Sequence, residues 1–293
     1  MRVTNNMMTQ NLLRNLETAQ GKMDQLQNQL SSGHRINRPS DDPVGIQNAM
    51  RLKNNISSVE QWKNNAAEAV DYMSTTDSTL GDMTSMLQRA RELTVQGANG
   101  TLAPMDRSVI ADEVDQISAQ LKMMANTKIG SKYIFSGTAT DKELIPSDGS
   151  ASQANGLPVN FEVGNNSPID ISVSGQNLFG GSVSGILASL KNLSTDLRSG
   201  NSAGINNALG NIDANIDNVL TLRAGLGART NRMTALQEQL DYTSANLTQS
   251  LSGIEDADMA KTITDFTNSQ NVYKAALSVG AKIIQPSLVD FMR

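Results

Sequence analysis

The chain has 293 residues, of which 38% are hydrophobic and 3% aromatic, with a net charge of −5 and no cysteine. This acidic balance argues against a nucleic-acid partner, and the absence of cysteine excludes disulfides and thiolate metal sites. So few aromatic residues suit long helices, each of which needs only one apolar stripe. No segment approaches the roughly 20 apolar residues of a membrane span, so we expect neither membrane insertion nor a cleaved secretory signal.

The first predicted helix, from about residue 4 to residue 30, carries an apolar stripe whose members are alternately four and three residues apart. The stripe consists of Leu12, Leu16, Ala19, Met23, Leu26 and Leu30. This spacing places the side chains on one narrow seam that a partner helix covers. Chain ends are usually polar and frayed, so an apolar end predicts a contact.

A polar segment separates this helix from a long second one. Gly33 can end the first helix, and Ser40, Asp41 or Asp42 can cap the second. The second helix is predicted from Val44 to about residue 96, a length of about 75 Å at 1.5 Å per residue. Its predicted seam, with members alternately three and four residues apart, contains Val59, Trp62, Ala66, Ala69, Met73, Thr76, Leu80, Met83, Leu87 and Ala90. A third helix, predicted over about residues 105–127, can fold back against it.

The middle of the chain changes character. No Lys or Arg occurs between residues 143 and 190, and apolar residues alternate over 159–163 and again over 169–173. This alternation predicts a β-hairpin inside a small β-rich insert. Helical patterns resume over residues 186–251, and Gly253 marks a break before the final helix.

The final predicted helix repeats the apolar spacing of the first. Its seam is predicted to contain Met259, Ile263, Phe266, Gln270, Tyr273, Leu277, Gly280 and Ile284. The predicted fold is therefore mainly α, an elongated antiparallel helical rod or coiled coil with a small β-rich insert at its tip. Its parts are terminal coiled-coil segments (1–43 and 254–293), a rod (44–137 and 186–253) and the insert (138–185).

Two segments beside the terminal seams resemble flagellin-type proteins. Residues 30–43 (LSSGHRINRPSDDP) are similar to the loop after the first helix of that family, and residues 254–260 (IEDADMA) are similar to the segment that opens its C-terminal helix. The family loop motif includes Arg35, Ile36, Asn37, Asp41 and Asp42. The resemblance covers roughly residues 1–140 and 180–293.

Other segments resemble the hook-associated branch of this family, the third hook-associated proteins. They are residues 38–43 (RPSDDP), 133–137 (YIFSG) and 285–293 (QPSLVDFMR). The resemblance implies a secreted structural protein of the bacterial flagellum that forms a ring at the hook–filament junction. It also implies the partners: the hook-side junction protein (first hook-associated protein), flagellin, further copies of the chain, and an export chaperone on the C-terminal helix.

Several alternatives stay open from the residues alone. The terminal seams can form the core of one chain's own bundle or pack between subunits. If they pack between subunits, we expect both ends to be poorly ordered in the monomer. A short flagellin that builds the filament itself is the alternative within the family, and an adhesin or enzyme using the insert is the alternative from another class.

No catalytic or cofactor-binding pattern supports an enzyme. The single histidine, His34, excludes a histidine cluster within one chain, and no serine lies in a nucleophile elbow. We expect no cofactor and no metal, and we interpret the acidic pairs Asp41–Asp42 and Asp256–Asp258 as helix caps.

Overall fold

The computed structural model describes residues 5–100, 102–146, 155–165, 167–179 and 185–289. Within these ranges the helices are α1 (Asn5–Ser32), α2 (Pro43–Gly97), α3 (Pro104–Ala125), α4 (Gly175–Phe179), α5 (Ile186–Ser199), α6 (Ser202–Glu255) and α7 (Met259–Val289). The strands are β1 (Lys128–Ile129), β2 (Lys132–Tyr133), β3 (Asn160–Glu162) and β4 (Pro168–Asp170). The predicted mainly helical fold with a small β-containing insert is confirmed.

The chain divides into two compact units. The terminal unit comprises residues up to 58 and from 243 onward, and the central unit comprises residues 59–242. The helices α2 and α6 contribute residues to both. The terminal, rod and insert parts remain a prediction. The two compact units are instead divided between residues 58 and 59 and between residues 242 and 243.

The core of the central unit forms along the predicted seam of α2. Its buried members follow the alternating spacing of four and three: Val59, Ala66, Ala69, Met73, Thr76, Leu80, Met83, Leu87 and Ala90. Trp62, predicted on the same seam, is half-buried. The helix runs without a break from Pro43 to Gly97, as the absence of an internal proline predicts.

Ion pairs join α2 to α6 at three levels of the central unit. They connect Lys63 with Asp241, Asp77 with Arg223 and Arg91 with Asp213. As the residue numbers on α2 rise, the numbers of their partners on α6 fall, so the two helices run antiparallel. Each exposed pair contributes only about 0–1 kcal/mol, so the buried apolar seam supplies most of the stability and the pairs fix the register.

The insert contains a small antiparallel hairpin that covers part of this core. Strand β3 pairs with β4, with Phe161 opposite Ile169. Val163, Ile171 and Val173 are buried beside the hairpin. The predicted hairpin is confirmed. Three residues pair on each strand, whereas the alternating apolar patterns extend over residues 159–163 and 169–173.

Two helix boundaries differ from the sequence-based expectation. Helix α6 continues past Gly253 to Glu255, and α7 begins at Met259. Of residues 133–135, only Tyr133 lies in a strand. A single glycine lowers local helix stability by at most about 1 kcal/mol, and tertiary contacts at Glu255 outweigh that cost.

Tyr72 on α2 binds the segment that directly follows β2. Its hydroxyl donates to the Ile134 carbonyl at 2.8 Å. Burial, and then the nearby charge of Asp170, raise the pKa of Tyr72 to about 12. The neutral phenol is therefore the form that the fold stabilises.

We expect Tyr72→Phe to lower the free energy of unfolding by about 1 kcal/mol, because the Ile134 carbonyl loses its donor. The difference from the parent chain is fully present below about pH 10, the ordinary pKa of an unfolded tyrosine, and shrinks as the pH rises towards 12. Urea titrations of both chains between pH 8 and 12 measure it. A difference that stays constant over this range would contradict the assignment.

Candidate functional site

The joint, which we define as residues 33–42 and 254–258, unites two segments that lie far apart along the chain. A short antiparallel bridge pairs His34 with Asp256. Two backbone hydrogen bonds flank it, one of 2.6 Å from the Arg35 amide to the Glu255 carbonyl and one of 2.9 Å from the Ala257 amide to the Gly33 carbonyl. The two segments that carry the sequence resemblance therefore form one structural element.

Arg35 binds the end of α6. Its guanidinium donates to the Ile254 carbonyl at 2.9 Å and lies 3.6 Å from the carboxylate of Asp42. A cation near the last carbonyls of a helix is stabilised by the helix dipole. Arg35 therefore links the end of α6 to the segment before α2. Arg38, the neighbouring arginine of the motif, is exposed.

Glu255 is a buried carboxylate at the C-terminal end of α6. The ammonium of Lys53, on α2, donates to its Oε1 at 2.7 Å. Burial and the dipole of α6 both disfavour a negative charge at this place, and the lysine offsets both. This pair fastens α2 to α6 within the terminal unit. Sequence patterns did not reveal it, because 202 positions separate the two residues.

His34 and Asp256 also contact each other through their side chains. The His34 Nδ1 lies 3.2 Å from Asp256 Oδ1, and the Ser252 hydroxyl donates to Asp256 Oδ2 at 2.5 Å. Asp256 therefore holds the turn between α6 and α7 rather than capping α7. The helix-cap interpretation is wrong for this residue.

Other acidic residues of the joint accept backbone hydrogen bonds. Asp42 accepts from the Gly45 amide at 2.9 Å and caps α2, and Asp258 accepts from the Lys261 amide at 3.1 Å and caps α7. Asp41 instead accepts from the amides of Asn37 and Arg38, at 3.1 and 2.9 Å. The cap interpretation is confirmed for Asp42 and Asp258, whereas Asp41 organises the loop.

Ile36 is the apolar residue of the loop motif, and it is 2% exposed. Gly45, in the first turn of α2, lies directly against it. A Cβ at position 45 would approach Ile36 Cδ1 to 2.6 Å and Asp42 Oδ2 to 2.4 Å. The absence of a side chain at Gly45 therefore lets the loop pack closely on α2.

The terminal pair, which we define as α1 and α7, extends from the joint. The two helices contact each other along their length and run antiparallel, since His34 meets Asp256 and Leu12 meets Gly280. The α1 residues Leu12, Leu16, Met23, Leu26 and Leu30 are all buried or half-buried. The predicted N-terminal seam therefore faces α7 of the same chain.

The covered seam of α7 differs from the predicted one. Its buried or half-buried residues are Thr262, Phe266, Ser269, Gln270, Tyr273, Ala276 and Gly280. Phe266, Gln270, Tyr273 and Gly280 belong to the predicted seam, whereas Thr262, Ser269 and Ala276 do not, because they are small and not strongly hydrophobic. Met259, Ile263 and Leu277, also predicted, are exposed in the single chain, and the surroundings of Ile284 lie outside the described side chains.

Large and small residues face each other at several levels of the terminal pair. A Cβ at Gly280 would lie 2.6 Å from Leu12 Cδ2, so the glycine admits the leucine. Continued residue by residue, this antiparallel register sets Leu16 opposite Ala276 and Ala19 opposite Tyr273. Interdigitation of unequal side chains is how helix interfaces reach close packing. Gly280 is thus a site of close contact between the two helices.

A polar groove of ≈ 580 Å³ lies between α1 and the joint. Its lining residues are Gly21, Asp24, Gln25, Asn28, Ser31, Ser32, Asn37, Arg38 and Asp41. Throughout the described part of the chain, no three His, Cys, Asp or Glu side chains are placed to hold a metal ion. Among the described helices, none combines the length and apolar character needed to cross a bilayer.

Comparison with known proteins matches both ends of the chain to one family. The bacterial flagellin N-terminal helical region matches residues 3–140, and the bacterial flagellin C-terminal helical region matches residues 209–292. The joint takes one segment from each region. Its two halves therefore come from the two parts of the chain that define the match.

Full-length relatives include both filament and hook-associated proteins. Flagellin of Bacillus subtilis is 29% identical and covers 97% of each chain. Flagellar hook-associated protein 3 of Escherichia coli is 27% identical and covers 94% of this chain and 95% of that one. The solved hook-associated protein 3 of Legionella pneumophila has the same fold, with a TM-score of 0.62, 16% identity, and coverage of 70% and 99%.

We expect Lys53→Met to lower the free energy of unfolding of the terminal unit by roughly 1–3 kcal/mol, because the buried carboxylate of Glu255 loses its charged donor. Hydrogen exchange of residues 33–58 and 243–258 measures the loss. Arg51→Met is the matched control, since Arg51 lies on the same helix and bonds only to Asn48 among the described residues. Equal effects of both variants would contradict the role of the ion pair.

We expect Gly280→Leu to separate α1 from α7, because the new side chain overlaps Leu12. Faster exchange of amides over residues 7–30 and 260–281 reports the separation. Ala281→Leu, at an exposed neighbouring position, serves as the control. Adding Leu12→Ala to Gly280→Leu restores space and should recover protection; failure to recover it would refute the size-matching account.

Proposed function

Because this chain belongs to the bacterial flagellin family, we propose that it is the structural protein that joins the flagellar hook to the filament. In this role it forms a ring of identical subunits. One face of the ring contacts the hook-side junction protein, and the other accepts flagellin. The family is one of structural flagellar proteins, so the action is geometric: the subunit matches two different neighbouring assemblies.

The match to hook-associated protein 3 carries the proposal. It extends over 94% of this chain and 95% of the relative, and therefore includes the joint, the insert and at least part of both terminal helices. The segments 38–43, 133–137 and 285–293 resemble the same branch of the family. The first of these contains Asp41 and Asp42, which shape the loop of the joint and cap α2.

The terminal pair supports assembly with other subunits. Met259, Ile263 and Leu277 of α7 are 43%, 53% and 46% exposed although they are apolar. In α1, Leu26 is 8% exposed, while the remaining members of its seam are only half-buried. A shallow two-helix contact is only marginally stable in water, and neighbouring subunits can cover what it leaves open. The ends accordingly become fully ordered on assembly.

The exposed apolar residues of α7 also support an export chaperone as a partner of this chain. Before assembly, a flagellar export chaperone covers the apolar side chains of α7. The chain then leaves the cell through the flagellar type III apparatus and functions at the extracellular hook–filament junction. Release of the chaperone exposes the surface that neighbouring subunits bind.

A short flagellin is the second candidate function. The Bacillus subtilis flagellin is as similar as the hook-associated relative and covers 97% of both chains. In this alternative the chain repeats along the whole filament, and purified subunits elongate into filaments by themselves.

Immunogold labelling of isolated flagella distinguishes the two functions. A junction protein gives a narrow band of label where hook meets filament, and a flagellin gives label along the filament. Deletion of the gene supplies the second readout: we expect intact hooks, no attached filaments and flagellin released into the medium. Label along the whole filament, or attached filaments in the deletion strain, would refute the junction role.

A further inference from the structure

The dipeptide Asn-Gly occurs twice in the chain, at residues 99–100 and at residues 155–156. Asparagine is a chemically labile residue, because the main-chain nitrogen of the next residue can attack its side-chain carbonyl carbon. Glycine in that next position favours the attack, since it has no side chain to obstruct the approach and its backbone is flexible. The two sites share the same local chemistry, so a difference in reactivity between them comes from the fold.

The side-chain amide of Asn155 is held through both its oxygen and its nitrogen. Its Oδ1 accepts hydrogen bonds from the amide and the hydroxyl of Thr138, at 3.0 and 3.1 Å, and its Nδ2 donates to the same hydroxyl at 2.8 Å. Its main-chain amide donates to the Ser136 carbonyl at 3.2 Å. The neighbouring Gly156 is also enclosed, since a Cβ built on it would lie 3.4 Å from the Ser174 hydroxyl. Ring closure at Asn155 moves the side-chain amide and releases Nδ2, so these hydrogen bonds must break first.

Asn99 lies in the loop between α2 and α3, in more open surroundings. Both Asn99 and Gly100 are exposed to solvent. Beyond its chain neighbours, no atom of any described residue lies within 4 Å of a Cβ built on Gly100. The backbone hydrogen bonds of Asn99, to Gln96 and Leu102, are each 3.2 Å long and belong to this exposed turn, a kind of local structure that opens readily. Water therefore reaches the site, and the space beside Gly100 accommodates the ring that the attack forms.

We propose that Asn99 deamidates spontaneously in the folded protein, whereas the fold protects Asn155. The nitrogen of Gly100 attacks Cγ of Asn99 and closes a succinimide ring. The bond from Cγ to Nδ2 breaks, and Nδ2 leaves as ammonia with the proton that the Gly100 nitrogen gives up. Water then opens the ring at either carbonyl and yields aspartate or isoaspartate. The sum of the steps consumes one water and releases one ammonia, so the reaction requires no oxidant.

The product changes the loop in two ways. It places a negative charge two positions after the last residue of α2, where the helix dipole disfavours an anion. The isoaspartate form also lengthens the main chain by a methylene group. The modified fraction grows with the age of the chain. The inference is independent of the proposed function, because the reaction needs only the folded protein and water.

Incubation of the purified, folded chain in mildly alkaline buffer tests the inference. Trypsin places the two sites on different peptides, residues 92–107 and residues 143–191. Mass spectrometry detects deamidation as a gain of one dalton, fragment spectra assign the residue, and methylation by an isoaspartyl methyltransferase identifies isoaspartate. We expect deamidation at Asn99 to be at least about tenfold faster than at Asn155, because several hydrogen bonds must break at the second site. In concentrated urea, which unfolds the chain, we expect similar rates at both sites.

Three variants separate the causes. Gly100→Ala slows the reaction at Asn99, because the new methyl group obstructs the attack; alanine fits this backbone, since Gly100 has no positive φ. Thr138→Ala removes the hydroxyl that binds the Asn155 amide and raises the rate at Asn155 several-fold. Thr140→Ala is the matched control, since the Thr140 hydroxyl bonds to no described residue, and it leaves that rate unchanged.

Two results would overturn the inference. One is equal rates at the two sites of the folded chain. The other is no deamidation at Asn99 in the folded chain at a time when the unfolded chain has reacted there. An equal response of Asn155 to the two threonine variants would refute the account of its protection.

Discussion

The hydrogen-bonded bridge between residues 33–35 and 255–257 is the contact on which the arrangement of the chain ends depends. It places the end of α1 beside the start of α7, so that the two helices leave the joint side by side. The ion pair of Lys53 and Glu255 and the arginine of the loop then fasten α2 and α6 to the same place. Polar contacts fix this geometry, and apolar seams extend it.

The terminal pair shows how a modest interface can specify one partner and still remain open to others. The close contact of Leu12 with Gly280 favours this register, since a larger residue opposite Leu12 would overlap it. The contact still leaves apolar side chains of α7 partly open to solvent: Ile263, Val272, Leu277 and Val279 are between 46% and 62% exposed.

The predictable parts of this structure are those with large side chains in a regular spacing. The long seam of α2 and the stripe of α1 were recognised because most of their members are strongly hydrophobic. Only about half of the α7 seam was recognised. Thr262, Ser269 and Ala276 are small, and they belong to the interface because of how they pack against α1 rather than because of their own hydrophobicity. The Lys53–Glu255 pair was missed for a related reason: spacing along one chain carries no signal for partners 202 positions apart.

The joint also dictates when the chain can fold. Its first half is synthesised long before its second half, so Ala257 must exist before the Gly33 carbonyl has this hydrogen-bond donor. At the usual pace of synthesis, the intervening residues take roughly 10–45 s to make. Closing so long a loop adds an entropic cost that local helices avoid. Throughout that interval α7 does not yet exist in the nascent chain, so the apolar stripe of α1 lacks the helix that covers it in the folded protein.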